Sequence, residues 1–397
     1  MKLRTICFTQ IGILLVAAPA TGSTFQEEIE LAIRAELEQS GVPSLQVAVG
    51  SKGEVIYEGA FGLADLEQNV VASVETRYRS ASISKWLTAT VAMKLVEHGT
   101  LDLDQSIQEY CPQFPRKRWP ITARHLLTHT SGIRHYADYE TEVAQATSDK
   151  ERADIERRQN RDALGTYTRY TDVIAPLANF KDDLLVFEPG TDWLYTSFGY
   201  RVLACVIEGA AGRTYQSQLN AEVFEPIGMA RTVSDDAWAI VPNRAAGYRL
   251  NRGEPIRRAD MRDVSENLPA GGHLTTATDL VRFAQAFQAG QLVSPESVSL
   301  MTQGLSGKGM ETENYASWRY AIPSHDKYAY GIMSFPNETQ LWIGHTGRQA
   351  GASSIVVLVP EQEISIAVLT NVKGWGGYLS LVREIHAIVE RDAAVVN

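Results

Sequence analysis

Hydrophobic and polar positions follow different periods in successive parts of the chain. From Phe25 to Gln39, apolar Ile29, Leu31, Ile33 and Leu37 recur at helical spacing among acids. The runs SLQVAVGSKG and EVIYEGAFG, rich in Val, Ile and Tyr, predict a hairpin turning through Ser51-Lys52-Gly53. Helical periodicity returns in SISKWLTATVAMKLVEH, Ser82 to His98, and Gly99 stops it. The middle reads as mostly helical, with loops at CPQFPRKRWP and FEPGTDW. Beyond it YGIMSF, QLWIGH, SSIVVLVP and ISIAVLTN read as strands, and LSLVREIHAIVERD as a closing helix. Strands at both ends with helices between predict an α+β fold. One antiparallel sheet is built from both termini and flanked by helices, with a mostly helical region inserted and a cleft at the junction.

Residues 136–183 form a charge-dense insertion that includes SDKERADIERRQNRD. A solvated helix laced with opposite charges is the expectation there, a lid or assembly surface the alternative. The chain has 397 residues, 44% hydrophobic and 21% charged, which excludes a disordered or collagen-like protein. Lys2 and Arg4, the apolar run Ile11 to Ala18 and the small residues Ala18-Pro19-Ala20 have the layout of a secretory leader. Residues 1–22 are therefore read as a signal peptide and 23–397 as the mature domain, periplasmic or extracellular. The apolar run is too short for a permanent anchor. Formal charge is −10, and loss of Lys2 and Arg4 makes it more negative, which argues against nucleic acid and anionic membrane as partners. Two cysteines remain after Cys7. Cys205, in the apolar run RVLACVIE, reads as a buried free thiol, with pairing to Cys111 left open. No metal-ligand spacing appears, and no metal or cofactor is implied.

Ser82-Ile83-Ser84-Lys85 is an S-x-x-K pattern heading a long apolar helix. The i, i+3 spacing puts Lys85 on the face of Ser82, where a desolvated amine can take the serine proton. A second match, Ser324-His325-Asp326-Lys327, has no helix behind it and reads as chance. Tyr195-Thr196-Ser197 lies between the turn Phe187-Glu188-Pro189-Gly190 and a helix from Phe198, so its phenol can point into a cleft and shuttle a proton. The same spacing recurs at Tyr215/Ser217, Tyr315/Ser317 and Tyr378/Ser380 and means little by itself. His345-Thr346-Gly347 joins two predicted strands, where a hydrogen-bonding side chain, a hydroxyl and a glycine can receive a substrate. Trp86 reads as core, and His125, His129 and His273 as structural.

The order S-x-x-K, Tyr-x-Ser, His-Thr-Gly, together with LVEHGTLDLDQSI, HLLTHTSGI, FEPGTDWLYTSFGY and PAGGHLTTATDLVRF, resembles the penicillin-binding-protein and class C β-lactamase superfamily. The likeness runs along essentially the whole mature chain. In HTSGIRHY and YTSFGY it is similar to the branch of mitochondrial β-lactamase-like serine proteases and their bacterial relatives. The resemblance implies a β-lactamase/DD-peptidase-like fold and a serine hydrolase. Ser82 would be acylated, Lys85 would be its base, and Tyr195 would pass a proton to the leaving group and activate the deacylating water. Backbone N–H groups of Ser82 and Arg348 would form the oxyanion hole. Ser197, His345, Thr346 and Gly347 would bind substrate, His345 and Thr346 facing its carboxylate or ester end. Two departures stand out: the β-lactamases usually carry Asn at the place of Ser197 and Lys at the place of His345. A neutral imidazole attracts a carboxylate less than an ammonium does. The expectation is a peptidase or esterase acting on a small-molecule, peptide or ester substrate. A true β-lactamase is the alternative, and a non-catalytic scaffold the third reading. Oligomeric state, a homo-oligomer included, is left open.

Overall fold

A computed structural model describes residues 24–396 apart from 138, 252, 304–326, 336 and 338. The leader, the Tyr315/Ser317 pair and Ser324 to Asp326 lie outside the described residues. Helix α1, Phe25–Ser40, opens at Thr24 with a reciprocal cap between Thr24 and Glu27 and ends at Gly41 in the left-handed conformation. Strands β1 (Ser44–Ser51), β2 (Glu54–Asp65) and β3 (Val70–Val71) follow, with the hairpin turn at Lys52 and Gly53. From the other end of the chain come β4 (Lys327–Tyr328), β5 (Met333–Phe335), β6 (Trp342–Gln349), β7 (Ala352–Val359) and β8 (Ile364–Thr370). These eight make one antiparallel sheet in the order β3-β2-β1-β8-β7-β6-β5-β4. The β1–β8 pairing, Gln46 opposite Leu369 through Ser51 opposite Ile364, joins the two ends of the chain.

The central strands are buried on both faces, which is why they read as continuous apolar runs. Alternate residues serve different cores. Val47, Ile355 and Val357 pack with Ile29 and Ile33 of α1 and with Leu381 and Ile385 of the last helix, Tyr378–Val396. Ala48, Val356 and Leu358 face the larger core, built from α2 (Ser84–Glu97), α4 (Ser197–Ala211) and α5 (Ala277–Gln288). Helix α2 runs through the middle of that core. Between Ser80 and Met93 only Ser82 reaches solvent. Trp86 is core, its ring set edge-on to Phe283 and Phe287.

One expectation is corrected, and a second is refined. Cys205 is not a free thiol: it is disulfide-bonded to Cys111, 94 residues away. Gly209, one turn on in α4, explains the approach. A Cβ there would lie 1.8 Å from the Tyr110 carbonyl, so the missing side chain lets the helix close on the Tyr110–Cys111 segment, and the two cysteine Cα atoms come within 5.5 Å. The insertion is also more than a solvated helix. Its main element, α3 (Asp149–Tyr167), exposes a charged face but buries Ile155, Asp162, Gly165 and Thr166. Arg134 fastens it through paired bonds of 2.8 and 2.9 Å to Asp162, and reaches Asp183 at 2.5 Å.

Candidate active site

Ser82 lies in a single 3-10 turn, Ala81–Ile83, immediately before α2, rather than in the helix itself. Ala81 adopts φ 47°, a left-handed conformation that costs an alanine about 1–2 kcal/mol. The turn is over-determined by its neighbours. Ser80 donates its N–H to the His273 carbonyl at 2.9 Å, and Ser84 Oγ meets both Ser80 Oγ and His273 Nδ1 at 3.0 Å. Strand β6 presses on the same turn: a Cβ at Gly347 would sit 2.4 Å from the Ser80 carbonyl and 2.9 Å from Ala81 Cβ. Only glycine permits that contact. Strand β5 pairs with β6 over Trp342–Gly344 alone, so it does not cover the edge of β6 beyond Gly344.

Lys85 is fully buried, with its Nζ 3.2 Å from Ser82 Oγ, 3.2 Å from Ser197 Oγ and 2.8 Å from the Ala270 carbonyl. Burial first, and the buried Arg201 guanidinium second, hold this amine well below the ordinary lysine range. Arg201 is itself paired with Glu266 at 3.1 Å.

Tyr195 is held by histidines. The chain crosses from Leu194 to Ser197 alongside the HTSGIRHY segment: Leu194 N–H donates to the His129 carbonyl at 2.9 Å, Thr196 N–H to His129 Nδ1 at 3.1 Å, and Ser197 N–H to His135 Nδ1 at 3.1 Å. Each accepting Nδ1 leaves the ring proton on Nε2. The His129 ring packs at a tilt against Tyr195 and Tyr328, with centroids 4.4 and 4.5 Å away. Burial drives the His135 imidazole well below the usual histidine range, with Lys85 adding to the effect. Burial also raises the Tyr195 phenol far above the ordinary tyrosine range, against a hydrogen bond with Ser82 that pulls it down. The Lys85 Nζ lies 4.8 Å from the centre of the Tyr195 ring.

These groups border a cleft of about 640 Å³. Ser82, Tyr195, Ser197, Thr346, Gly347 and Arg348 all line it. His345 does not. It is fully buried, with Nδ1 donating to the Thr346 carbonyl at 2.5 Å and Nε2 facing the Tyr328 hydroxyl at 3.3 Å. The expected contact of His345 with a substrate carboxylate is therefore corrected: the strand turns Thr346, and not its neighbour, toward the cleft. His135 was missed in the sequence reading, although HTSGIRHY contains it, and it lines the cleft beside Ser197. The inner face of α3 supplies the opposite wall through Gln159, Asp162 and Thr166. Of the other Tyr-x-Ser pairs, Tyr215 is buried against Thr88, while Tyr378 reaches the cleft margin. Among the described residues no group of three or more His, Cys, Asp or Glu side chains is arranged to hold a metal ion, and no helix is long and apolar enough to cross a membrane.

An antiparallel sheet from both termini, with a serine and a buried lysine at its junction with a helical layer, defines the class of serine β-lactamase-fold hydrolases. The chain belongs to the β-lactamase family, whose model matches residues 29–389. It is 28% identical to the mitochondrial serine beta-lactamase-like protein LACTB of Mus musculus, over 88% of this chain and 75% of that protein. It is 24% identical to Protein flp of Staphylococcus aureus strain MW2, over 87% of this chain and 63% of that one. The octameric penicillin-binding protein homologue from Pyrococcus abyssi superposes with a TM-score of 0.69 at 25% identity, covering 90% of this chain and 77% of the other. The D-amino acid amidase from Ochrobactrum anthropi SV3 complexed with D-phenylalanine shares the fold, with a TM-score of 0.73 at 19% identity, covering 93% and 99%.

Proposed function

We propose that this protein hydrolyses amide or ester bonds of small peptides or esters through an acyl-enzyme on Ser82. The observation that carries the reading is the environment of Lys85. A neutral amine has two N–H donors and one lone pair. The Ala270 carbonyl and Ser197 Oγ take the two donors, which leaves the lone pair for the Ser82 hydroxyl. Ser82 Oγ bonds to the substrate carbonyl carbon while its proton moves to Lys85 Nζ. The oxyanion meets the N–H groups of Ser82 and Arg348, aided by the N-terminal end of α2. Tyr195, kept a neutral phenol by its burial, gives its proton to the leaving nitrogen or oxygen as that bond breaks, and the Lys85 ammonium resupplies it. Water activated by the same pair then opens the ester. Thr346 and Gly347 receive the substrate along the edge of β6, and Ser197 holds the amine. Export of a mature chain 23–397 from a leader at 1–22 goes with this reading, supported by the Cys111–Cys205 disulfide, a bond favoured in oxidising compartments.

A true β-lactamase is the second reading, favoured by the family alone. Against it, the cleft carries a hydroxyl and no amide at Ser197, and His345 is buried outside the lining of the cleft. Intact-protein mass after mixing with a p-nitrophenyl ester and, separately, a penicillin tests both. Rapid turnover of the ester with a transient adduct on Ser82, and a slow or absent penicillin cycle, is expected. Ester turnover that survives Ser82→Ala sinks the acyl-enzyme, and fast clearance of a penicillin adduct turns the reading to the β-lactamase.

A further inference from the structure

The cleft carries a second feature that the acyl-transfer chemistry does not use. Arg262, Arg348 and Lys373 all line it, and among the described residues none of their side chains has an ion pair or hydrogen bond. By contrast, the two buried arginines among the described residues are paired, Arg134 with Asp162 and Arg201 with Glu266. Arg348 directly follows Gly347 on β6. Lys373 lies opposite Arg249 in a short parallel pairing, and the preceding Val372 carbonyl accepts from Ser353 Oγ at 2.9 Å; Ser353 in turn pairs with Arg348 across β6 and β7.

The third cation is delivered by Arg79. Its Nε is bound to Asp235 at 2.7 Å, NH1 to the Ala350 carbonyl at 2.9 Å and NH2 to the Arg262 carbonyl at 3.4 Å. One guanidinium thus ties the Arg262 loop to the turn between β6 and β7. Asp162, Asp260, Asp263 and Glu266 line the cleft as well. Asp162 is held by Arg134, and Asp263 accepts from Ser265 Oγ at 2.5 Å. Burial lowers the Lys373 amine below the ordinary lysine range, and Arg262, Arg249 and Arg348 lower it further, with Asp260 alone opposing. Asp260 is already shared by Arg249 and Arg257, at 3.6 and 3.5 Å. Arg262 also senses Glu266, but that carboxylate is engaged by Arg201. Cations that share a cleft and, among the described residues, have no carboxylate within ion-pair distance repel one another, and an anion that spans them relieves the repulsion.

We infer that Arg262, Arg348 and Lys373 form an anion-binding end of the cleft that selects substrates bearing two carboxylates next to the scissile bond, as at a terminal acidic residue. The inference rests on the acyl-transfer reading for the word substrate, but its geometry does not depend on Ser82. One carboxylate would leave at least one cation unmatched, whereas a dicarboxylate can bridge the arginine forks and the lysine. The position of Arg348, one residue past Gly347, sets the charged group beside the bond being opened.

The experiment is calorimetric titration of the full-length Ser82→Ala protein with each enantiomer of N-acetylglutamate, with N-acetylglutamine, with N-acetylglutamine amide and with inorganic phosphate. N-acetylglutamate is expected to bind at least about tenfold more tightly than N-acetylglutamine, with the advantage shrinking as salt rises and the Debye length falls. Lys373→Gln and Arg348→Gln should each cut that ratio about three- to tenfold. Arg262→Gln, at an exposed position, keeps the test sound if a half-buried substitution unfolds the protein. Equal affinities for the two ligands, no binding of N-acetylglutamate, phosphate binding as tight as N-acetylglutamate, or variants with an unchanged ratio each overturn the inference. Because Ser82→Ala cannot be acylated, failure here leaves the ester test untouched, and failure of the ester test leaves this binding measurement standing.

Discussion

Beneath the floor of the cleft, Lys85 is enclosed on all sides, given three oxygen neighbours and pushed by burial toward its neutral form. At the mouth, Lys373 is half-buried, has no side-chain hydrogen-bond or ion-pair partner among the described residues, and stands among arginines with Asp260 opposing them. The same residue type serves two purposes because its surroundings differ. Full desolvation turns the first amine into a base, while the second stays partly exposed, and the like charges around it, which disfavour its ammonium form, are relieved when an anion binds. The Ser80–Ser84–His273 bonds and the contact with Gly347 fix the nucleophile turn at the floor, and the tilted His129 ring packs against Tyr195. The mouth is assembled from loop and strand-end residues, so substitutions there should change selectivity more than rate.

The comparison breaks most completely at the floor. Ser82→Ala should reduce kcat/KM on a neutral nitrophenyl ester by about 10⁴-fold or more, with no mass adduct formed. Lys85→Ala should abolish acylation while the circular dichroism spectrum stays native. Burst-phase stopped-flow measurement of the ester checks both, and unchanged acylation in the lysine variant would remove Lys85 from the base role. Tyr195→Phe should cost about 10²- to 10⁴-fold in kcat, with the larger loss on amides, because their leaving group needs the proton more. An equal loss on amides and activated esters would make Tyr195 a packing residue.

The next effect is on stability. The Cys111–Cys205 bond closes a loop across 94 residues of sequence, and loops of that length are stabilised by up to about 4.7 kcal/mol in the chain-entropy account. Cys205→Ala should therefore lower stability by a few kcal/mol, read as a fall in the denaturant midpoint, and added reductant should lower the parent protein but leave the variant unmoved. The bond lies away from Ser82, so activity per folded molecule should persist. A variant that melts with the parent would mean the disulfide does not form in the protein as made.

How much of this was legible beforehand depended on distance in sequence. The hairpin, the apolar α2 and the strands near the C-terminus follow from local periodicity, and Ser82 and Lys85 stand three residues apart, so their proximity needed only a helical turn. His135 was invisible because what matters about it is a bond from Ser197, 62 residues on. His345 was misread because successive residues of a strand point opposite ways, and the pattern HTG does not say which of them meets the cleft. The Cys111–Cys205 pairing hung on Gly209 allowing a close helix approach, a property of packing. The cationic mouth draws on β6, the strand end at Lys373 and the Arg262 loop, three segments that nothing in the local pattern associates.

The finest test concerns the coupling of Arg201 to Lys85. Since Lys85 must be neutral to accept the Ser82 proton, kcat/KM should rise with pH through the Lys85 titration, and that limb should lie below the ordinary lysine range. Arg201 lowers the amine by charge, so removing it should move the limb to higher pH. Removing it alone would strand the buried Glu266 carboxylate, which typically costs about 3–5 kcal/mol. The double substitution Arg201→Gln with Glu266→Gln keeps the pair neutral and isolates the electrostatic effect. The expected outcome is a folded protein whose acid limb moves upward while the plateau rate changes little. A limb that stays in place would assign it to another group, and a limb that moves downward would contradict the sign of the Arg201 effect.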